Sequence, residues 1–197
     1  STTIDKMAGL VMELIEHLNI LKISIIGHSL GGYVSLAFAE LFPDKLENHI
    51  LLHSSATADS IKAKEKRDSA IKILSKHPSL YIKQTLAGLF RPETSINFKS
   101  EFENLVSIAL SNNPIGYIEA VKAMKMRPDR TSVLKSGVRT CFIAGRYDPI
   151  IDKEISAKQI KLLRNGTGVF LEKAGHMGFI EEKEMTFKQI NRFLKPV

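Results

Sequence analysis

One stretch decides the fold of this chain: Ile23-Ser24-Ile25-Ile26-Gly27-His28-Ser29-Leu30-Gly31-Gly32. Its first half is apolar and rich in β-branched side chains, which predicts a strand, and residues 33–39 after it predict a helix. Between the two, Gly27, Ser29 and Gly31 fit the pattern G-x-S-x-G, a sharp turn that holds a serine hydroxyl above the edge of a sheet. Ser29 is therefore a candidate nucleophile.

The glycines of this turn have a steric explanation. A Cβ on Gly27 or Gly31 is expected to clash or to block substrate, because both residues lie close to the serine. The turn also places Ser29 at a helix N-terminus, where the backbone N–H of Leu30 can face a developing oxyanion. The alternative, a turn serine that only caps the helix, is weakened because the strand and the helix of the motif are both present.

The composition favours a globular domain and argues against several other classes of protein. The chain has 197 residues, 44% of them hydrophobic, which predicts one domain with or without an insertion. The net charge of +7 comes from basic residues mixed with acidic ones, without the aromatic-interleaved basic cluster typical of nucleic-acid binding. The single cysteine, Cys141, lies in an apolar run and is interpreted as a buried, inert thiol. Without a membrane-length apolar stretch or a signal-peptide pattern, we expect a cytoplasmic protein that binds neither nucleic acid nor membranes.

The chain begins with an amphipathic helix over residues 2–19, whose apolar side chains recur at steps of three and four. Because it lacks an initiator Met and this helix needs a sheet to lie on, we interpret the chain as N-terminally incomplete. A second strand is predicted at His49–His53, after the helix that follows Ser29. Strand, helix and strand in this order predict a parallel sheet, whose ligands bind beyond the carboxyl ends of the strands. Ser29 and His53 both fall at such ends.

Residues 59–127 contain helical patterns only. Asp59 is expected to cap the first of these helices, and Pro114 to open the last. About seventy residues is far longer than a simple crossover needs, so this segment is interpreted as an inserted helical lid. The predicted organisation is thus core residues 1–58, a lid at 59–127 and core residues 128–197.

Two further strands complete the predicted sheet. The third spans Val138–Ala144 and is followed by a loop that contains Asp148. The fourth spans Gly168–Glu172 and is followed by a loop that contains His176. Since carboxyl ends of parallel strands share one edge, Ser29, Asp148 and His176 are expected to meet there.

The chain order Ser, Asp, His distinguishes this set from the other two main serine-hydrolase arrangements. From Gly27-His28-Ser29-Leu30-Gly31-Gly32, Gly145-Arg146-Tyr147-Asp148 and Gly175-His176-Met177-Gly178-Phe179, the chain resembles the α/β-hydrolase superfamily. It looks closest to the lidded carboxylesterase branch that includes the pimeloyl-carrier-protein methyl esterase type. The resemblance covers nearly the whole chain and is specific for fold and triad, but much less so for substrate.

This resemblance implies a role for each residue. Ser29 would attack an acyl carbon, His176 would move the proton, and Asp148 would orient the imidazole, with Leu30 as an oxyanion donor. No metal and no cofactor is implied. Asp152 and Asp129 are alternatives for the acid, although Asp152 is more simply a helix N-cap. Other residues near the nucleophile are expected to line the pocket, namely His53 and Met177, whereas His28 is interpreted as structural.

The predicted function is hydrolysis of a small-molecule carboxylic ester. Alternatives are a thioesterase, a carbon–carbon bond hydrolase, a perhydrolase, or a non-catalytic binding protein of the same fold. The family's early strands and its second oxyanion donor have no counterpart upstream of Gly27. With those strands absent, Ile23–Gly27 becomes an exposed strand edge, through which we expect dimerisation or other association.

Overall fold

In the part of the chain that the structure describes, a sheet of four parallel strands forms the framework. The computed structural model describes residues 2–93 and 95–195. The strands lie in the order β1-β2-β3-β4. Every pair is parallel, as the sequence predicts. Their bounds are Ile23–His28 for β1, Leu46–Leu52 for β2, Thr140–Gly145 for β3 and Gly166–Leu171 for β4.

Ten α-helices connect and cover these strands within the described residues. Their bounds are Ile4–His17 (α1), Leu30–Leu41 (α2), Ile61–Lys76 (α3), Pro78–Ala87 (α4), Lys99–Ser111 (α5), Pro114–Met126 (α6), Thr131–Lys135 (α7), Lys153–Ile160 (α8), Gly178–Glu181 (α9) and Lys183–Leu194 (α10). None of the helices in the described part of the chain is both long and apolar enough to cross a membrane.

The central strands β2 and β3 are buried on both faces. Side chains alternate along a strand, so Leu51 and Phe142 join one apolar cluster with helices α1 and α2. Ile50 and Ile143 point to the opposite face and form a second cluster with Phe193 of α10. This two-sided burial explains the unbroken apolar runs at residues 50–52 of β2 and 141–144 of β3. Cys141 lies in the second cluster as a buried free thiol, and burial raises the pKa of that thiol.

Strand β1 lies at one end of the strand order. Within the described residues it pairs with β2 alone, and Ile26 on it is 48% exposed. This is the strand edge through which the sequence predicts association. Dimerisation through it stays a prediction.

Helices α3–α6, called the inserted helices below, lie between β2 and β3 in the sequence. A buried ion pair joins the two ends of this segment, because Asp59 Oδ1 lies 2.7 Å from Arg127 Nη1. Arg67 contacts the other oxygen of Asp59 at 3.1 Å, and the Arg127 guanidinium lies 3.9 Å from the centre of the Tyr33 ring on α2. The two ends of the inserted segment are thus held together beside α2. Its description as a lid stays an interpretation.

The expected role of Asp59 as a helix cap is wrong. The N-cap of α3 is Ser60, whose Oγ accepts a hydrogen bond from the Ala63 N–H at 3.2 Å. The Asp59 carboxylate instead forms ion pairs with Arg67 and Arg127. The prediction that Pro114 opens a helix is confirmed by α6.

His49 on β2 is a fully buried histidine that supports the turn around Ser29. Its Nε2 lies 3.0 Å from Ser35 Oγ, and its Nδ1 lies 3.3 Å from Thr140 Oγ1. Ser35 in turn lies directly beneath the turn, since a Cβ on Gly27 would be 2.5 Å from Ser35 Oγ. Burial lowers the pKa of His49 to about 4, so this ring is neutral in the folded protein near neutral pH.

This pKa predicts that acid destabilises the fold. Between pH 6.5 and 4 the unfolded chain binds a proton at His49 that the folded chain does not, so stability falls as the pH falls. For His49 alone the loss from pH 7 to pH 5 is about 2 kcal/mol. Urea unfolding at both pH values should show that His49→Gln is less stable at pH 7 but loses less on acidification. The exposed His17→Gln is the control, and an equal acid loss in wild type and His49→Gln would contradict the prediction.

Candidate active site

Ser29 lies at the junction of β1 and α2 in a strained backbone conformation. Its φ and ψ are 50° and −114°, in the positive-φ region that non-glycine residues rarely adopt. Its N–H donates to the Leu52 carbonyl at 3.1 Å, and its carbonyl accepts from Ser54 Oγ at 2.8 Å and from the Gly32 N–H at 3.0 Å. The surroundings therefore hold the strained turn from both sides, as strain at a functional site requires.

The structure changes the steric account of the glycines. A Cβ on Gly27 would lie 2.5 Å from the Gly31 carbonyl oxygen, so glycine is needed there as predicted. A Cβ on Gly31 would meet nothing within 4 Å, so a clash within the fold does not explain this glycine. The other expected reason, that a Cβ there would block substrate, stays a prediction. It is Gly32 whose Cβ would collide, at 2.2 Å from Ser54 Oγ. Sequence spacing alone could not reveal this, because Ser54 comes from the far end of β2.

Leu30 is the first residue of α2. The first N–H groups of a helix have no carbonyl partner one turn back, and they carry the positive end of the helix dipole. The Leu30 N–H therefore directly follows the strained serine and stands at a helix start. This position agrees with the oxyanion role predicted for it, which stays a prediction.

Asp148 and His176 form a buried pair at the same edge of the sheet. Asp148 follows β3 and His176 follows β4, and Asp148 Oδ2 lies 2.7 Å from His176 Nδ1. The other carboxylate oxygen, Oδ1, accepts from the N–H groups of Ile150 and Ile151 at 2.8 and 2.9 Å. Both side chains are at most 2% exposed.

The electrostatics of this pair favour an ionised carboxylate. Burial by itself raises the pKa of Asp148, but the His176 and His53 rings and the Ile151 N–H stabilise the charged form more strongly. The net effect holds the pKa of Asp148 well below its usual range. A carboxylate that stays charged can orient an imidazole by accepting its Nδ1–H, and this leaves Nε2 for proton transfer.

The other two candidate acids have different partners. Asp152 caps α8 by accepting from the Glu154 N–H at 2.7 Å. Asp129 accepts from the N–H and the hydroxyl of Thr131 at 3.0 and 2.6 Å. Both carboxylates thus serve local turns and caps, whereas Asp148 contacts a histidine 28 residues away.

The loop around His176 is tied to its surroundings by two residues that carry no obvious sequence signal. His28, next to the serine, donates from Nε2 to the His176 carbonyl at 2.9 Å, and burial lowers the pKa of His28 to about 4. Glu181 Oε2 accepts from the N–H groups of Gly175 and Met177 at 2.8 and 3.2 Å. Among the described residues no hydrogen bond joins Ser29 Oγ to His176, and the bond from His28 is one of the contacts that connect the two loops. Such bonds often tighten only when substrate is bound.

The segment that carries the inserted helices also reaches this loop. The His176 N–H donates to the Leu89 carbonyl at 2.9 Å, and the Arg91 N–H donates to Glu181 Oε1 at 2.7 Å. A Cβ on Gly175 would lie 2.7 Å from the Arg91 nitrogen, so glycine permits this close approach. The residues after α4 therefore lie directly against the histidine loop.

The two residues expected to line the pocket are both buried. His53, at the end of β2, is 1% exposed and lies against Asp148, with its Nδ1 at 3.4 Å from Asp148 Oδ2. Met177 is 3% exposed and follows His176 directly. Their substrate-binding roles stay predictions, but the contacts of His53 are with the acid and the histidine loop.

His53, Asp148 and His176 together resemble a metal-ligand set, since one ligand atom from each lies within 4.8 Å of the others. Hydrogen bonding accounts for this cluster. The Gly178 N–H donates to His53 Nε2 at 3.2 Å, so in the neutral ring the proton is on Nδ1, the nitrogen that faces Asp148. His176 Nδ1 likewise lies at 2.7 Å from the carboxylate, a hydrogen-bond distance. The donor set thus fits a hydrogen-bonded cluster better than a metal centre.

Comparison with known proteins places this geometry in context. The family model described as alpha/beta hydrolase fold matches residues 2–183. A solved thermophilic esterase from Thermogutta terrifontis superposes with a TM-score of 0.90 at 29% identity, covering 98% of this chain and 72% of that one.

Two curated relatives are similar along most of the chain. A Pseudomonas savastanoi protein, named provisionally as the carbamate hydrolase RutD, is 23% identical over 91% of this chain and 70% of its own length. A Haemophilus influenzae protein, named provisionally as an esterase/lipase, is 25% identical over 95% of this chain. The chain spans 66% of that second relative.

Proposed function

This chain belongs to the alpha/beta hydrolase fold family, and we propose that the protein is a serine hydrolase that cleaves a carboxylic ester through an acyl-enzyme on Ser29. The α/β-hydrolase fold expected from the sequence, a parallel sheet flanked by helices, is thereby confirmed. One observation carries the functional proposal. A buried carboxylate and imidazole lie 2.7 Å apart at the sheet edge where Ser29 is held in a strained turn.

A purely structural explanation of this pair is less satisfactory. Removing two titratable groups from water costs several kcal/mol per charged group, so a buried pair is weak evidence for stability. A strained serine also costs about 1–3 kcal/mol. Two such costs at one sheet edge are typical of a catalytic site, where strain and shifted pKa values serve the chemistry.

The proposed reaction follows from the position of each group. His176 Nε2 removes the Ser29 proton while Oγ forms a bond to the acyl carbon, and Asp148 stabilises the resulting imidazolium. The tetrahedral intermediate then loses the alcohol, which takes the proton from His176. In the second half of the reaction His176 Nε2 takes a proton from water while the water oxygen bonds to the acyl carbon. The bond from that carbon to Ser29 Oγ then breaks, Oγ takes the proton from His176, and the carboxylic acid is released. The reaction requires no cofactor.

The helix start at Leu30 supplies the electrostatic part of the proposal. The oxyanion forms next to the Leu30 N–H, where the donor is already in place and needs no reorganisation. One oxyanion donor of this kind is worth about a hundredfold to a thousandfold in rate.

For the substrate we propose an acyl group of medium length. The backbone around Leu89 and Arg91 is bonded to the histidine loop, so this segment is in position to cover the site as a lid. Phe90, between these two residues, is 3% exposed. The centre of its ring lies 6.3 Å from that of Phe98 and 6.4 Å from that of Phe102. An aromatic cluster of this kind beside the site favours a longer acyl chain over acetyl.

A panel of p-nitrophenyl esters of graded chain length tests this function in the full-length protein, alongside a thioester of the preferred acyl group. We expect the ester to be cleaved with a higher kcat/KM than the thioester, and medium chains to exceed acetyl. A higher kcat/KM for the thioester would identify a thioesterase. Saturable binding of the acyl compounds without any turnover would instead indicate a binding protein.

A further inference from the structure

His53 occupies a position that the proposed mechanism does not use. It follows β2 directly and has a φ of 46°, and its N–H donates to the Ile143 carbonyl on β3 at 2.8 Å. Its imidazole is 1% exposed and lies between the acid loop and the histidine loop.

The hydrogen bond from Gly178 fixes the tautomer of this ring. A backbone amide can only donate, so the His53 Nε2 that faces the Gly178 N–H at 3.2 Å must carry a lone pair. The proton of the neutral ring is therefore on Nδ1. Burial lowers the pKa of His53, which keeps the ring neutral at neutral pH.

The Nδ1–H of His53 faces one particular acceptor. Nδ1 is buried without a hydrogen-bond partner among the described residues, and Asp148 Oδ2 lies 3.4 Å from it. Asp148 has one acceptor site left for it, because Oδ1 accepts two backbone N–H groups and Oδ2 accepts from His176. A small rotation of either side chain would bring donor and acceptor to hydrogen-bond distance.

We propose that His53 is a positioning residue for the proposed triad, and that its Nδ1–H holds Asp148 Oδ2 in the orientation that His176 requires. The inference rests on the proposed function. It assigns His53 a role in orienting the acid in place of the substrate contact expected from the sequence.

The neighbouring contacts agree with this role. A Cβ on Gly178 would lie 2.4 Å from His53 Nε2, so glycine at this position permits the contact that fixes the tautomer. The next residue, Ser54, donates to the Ser29 carbonyl at 2.8 Å. Residues 53–54 thus contact the acid, the histidine loop and the nucleophile turn from one strand end. An apolar side chain in place of His53 would fill the space but would contact neither Asp148 Oδ2 nor the Gly178 N–H through a polar atom.

Two matched substitutions separate positioning from packing. His53→Asn places an amide N–H near the former Nδ1 and keeps a donor toward Asp148. His53→Gln keeps an acceptor near the former Nε2 but has no group where Nδ1 was. We expect His53→Gln to lower kcat by about tenfold to a hundredfold, the loss that follows when a residue that orients a metal ligand by hydrogen bonding is removed, since His53 would orient Asp148 in the same way. KM should stay nearly unchanged, because no substrate contact is removed. His53→Asn should recover most of the kcat.

A spectroscopic readout is independent of turnover. In protein with nitrogen-15-labelled histidine, NMR should show His53 as the Nδ1–H tautomer at neutral pH. The Nδ1–H resonance of His176 should shift in His53→Gln and not in the exposed control His17→Gln. An Nε2–H tautomer, an unmoved His176 resonance, or equal kcat losses in both His53 variants would overturn the proposal. If no acyl compound is hydrolysed at all, the proposed function fails while the NMR result still decides the contact.

Discussion

Ser29→Ala is expected to lower kcat for the preferred ester by about a millionfold, the effect of removing the nucleophile in a serine hydrolase. The reason is that no other described hydroxyl combines a strained turn with an adjacent helix start. A small rate above that of water should remain from binding and oxyanion stabilisation. Folding should be little affected, since no hydrogen bond of Ser29 Oγ is described and alanine removes one oxygen only.

The control for this experiment is Ser75→Ala. Ser75 lies on the exposed side of α3, where its Oγ bonds to the Ile71 carbonyl at 2.8 Å. That variant should keep wild-type kcat and KM in stopped-flow or steady-state assays. A Ser29→Ala protein that retains more than a small fraction of wild-type kcat would show that hydrolysis does not pass through this serine.

Asp148→Asn is expected to lower kcat by about ten-thousandfold with KM little changed. An asparagine can present its amide N–H to His176 Nδ1, which would favour the wrong tautomer of the imidazole and remove the negative charge that stabilises the imidazolium. Asp148 is the acid to test, because its Oδ2 lies 2.7 Å from His176 Nδ1. Steady-state kinetics across the neutral pH range measures the effect.

Asp152→Asn is the matched control. Asparagine caps helices about as well as aspartate, so α8 should remain intact and kcat should stay near the wild-type value. If Asp152→Asn or Asp129→Asn lost activity while Asp148→Asn kept it, the assignment of the acid would be wrong.

Strand positions were predictable because burial leaves a direct mark on sequence. The predicted strand His49–His53 has three apolar residues at its centre and overlaps β2, Leu46–Leu52, although it starts three residues late. The boundaries of the other predicted strands are off by two residues or fewer. A parallel sheet then brings the loops after β1, β3 and β4 to one edge. This is why Ser29, Asp148 and His176 could be selected as one set before any contact was known.

The supporting contacts were not predictable, because they join residues far apart in the chain. Ser54 reaches the Ser29 carbonyl across 25 positions, and Arg127 reaches Asp59 across 68. Asp59 illustrates the difficulty: an aspartate before a helix predicts an N-cap, but the arginine at the far end of the segment takes its carboxylate. Glu181 is similar, because nothing local distinguishes it from an exposed helix glutamate.

The most direct test of the acyl-enzyme mechanism is covalent labelling of the full-length protein with a fluorophosphonate, followed by proteolysis and mass spectrometry. The account predicts one phosphonyl group per active chain, on the peptide that contains Ser29 and on Ser29 itself. It also predicts that Ser29→Ala abolishes the label while Ser75→Ala leaves it unchanged. Labelling of a different residue, or labelling that persists in Ser29→Ala, would contradict it.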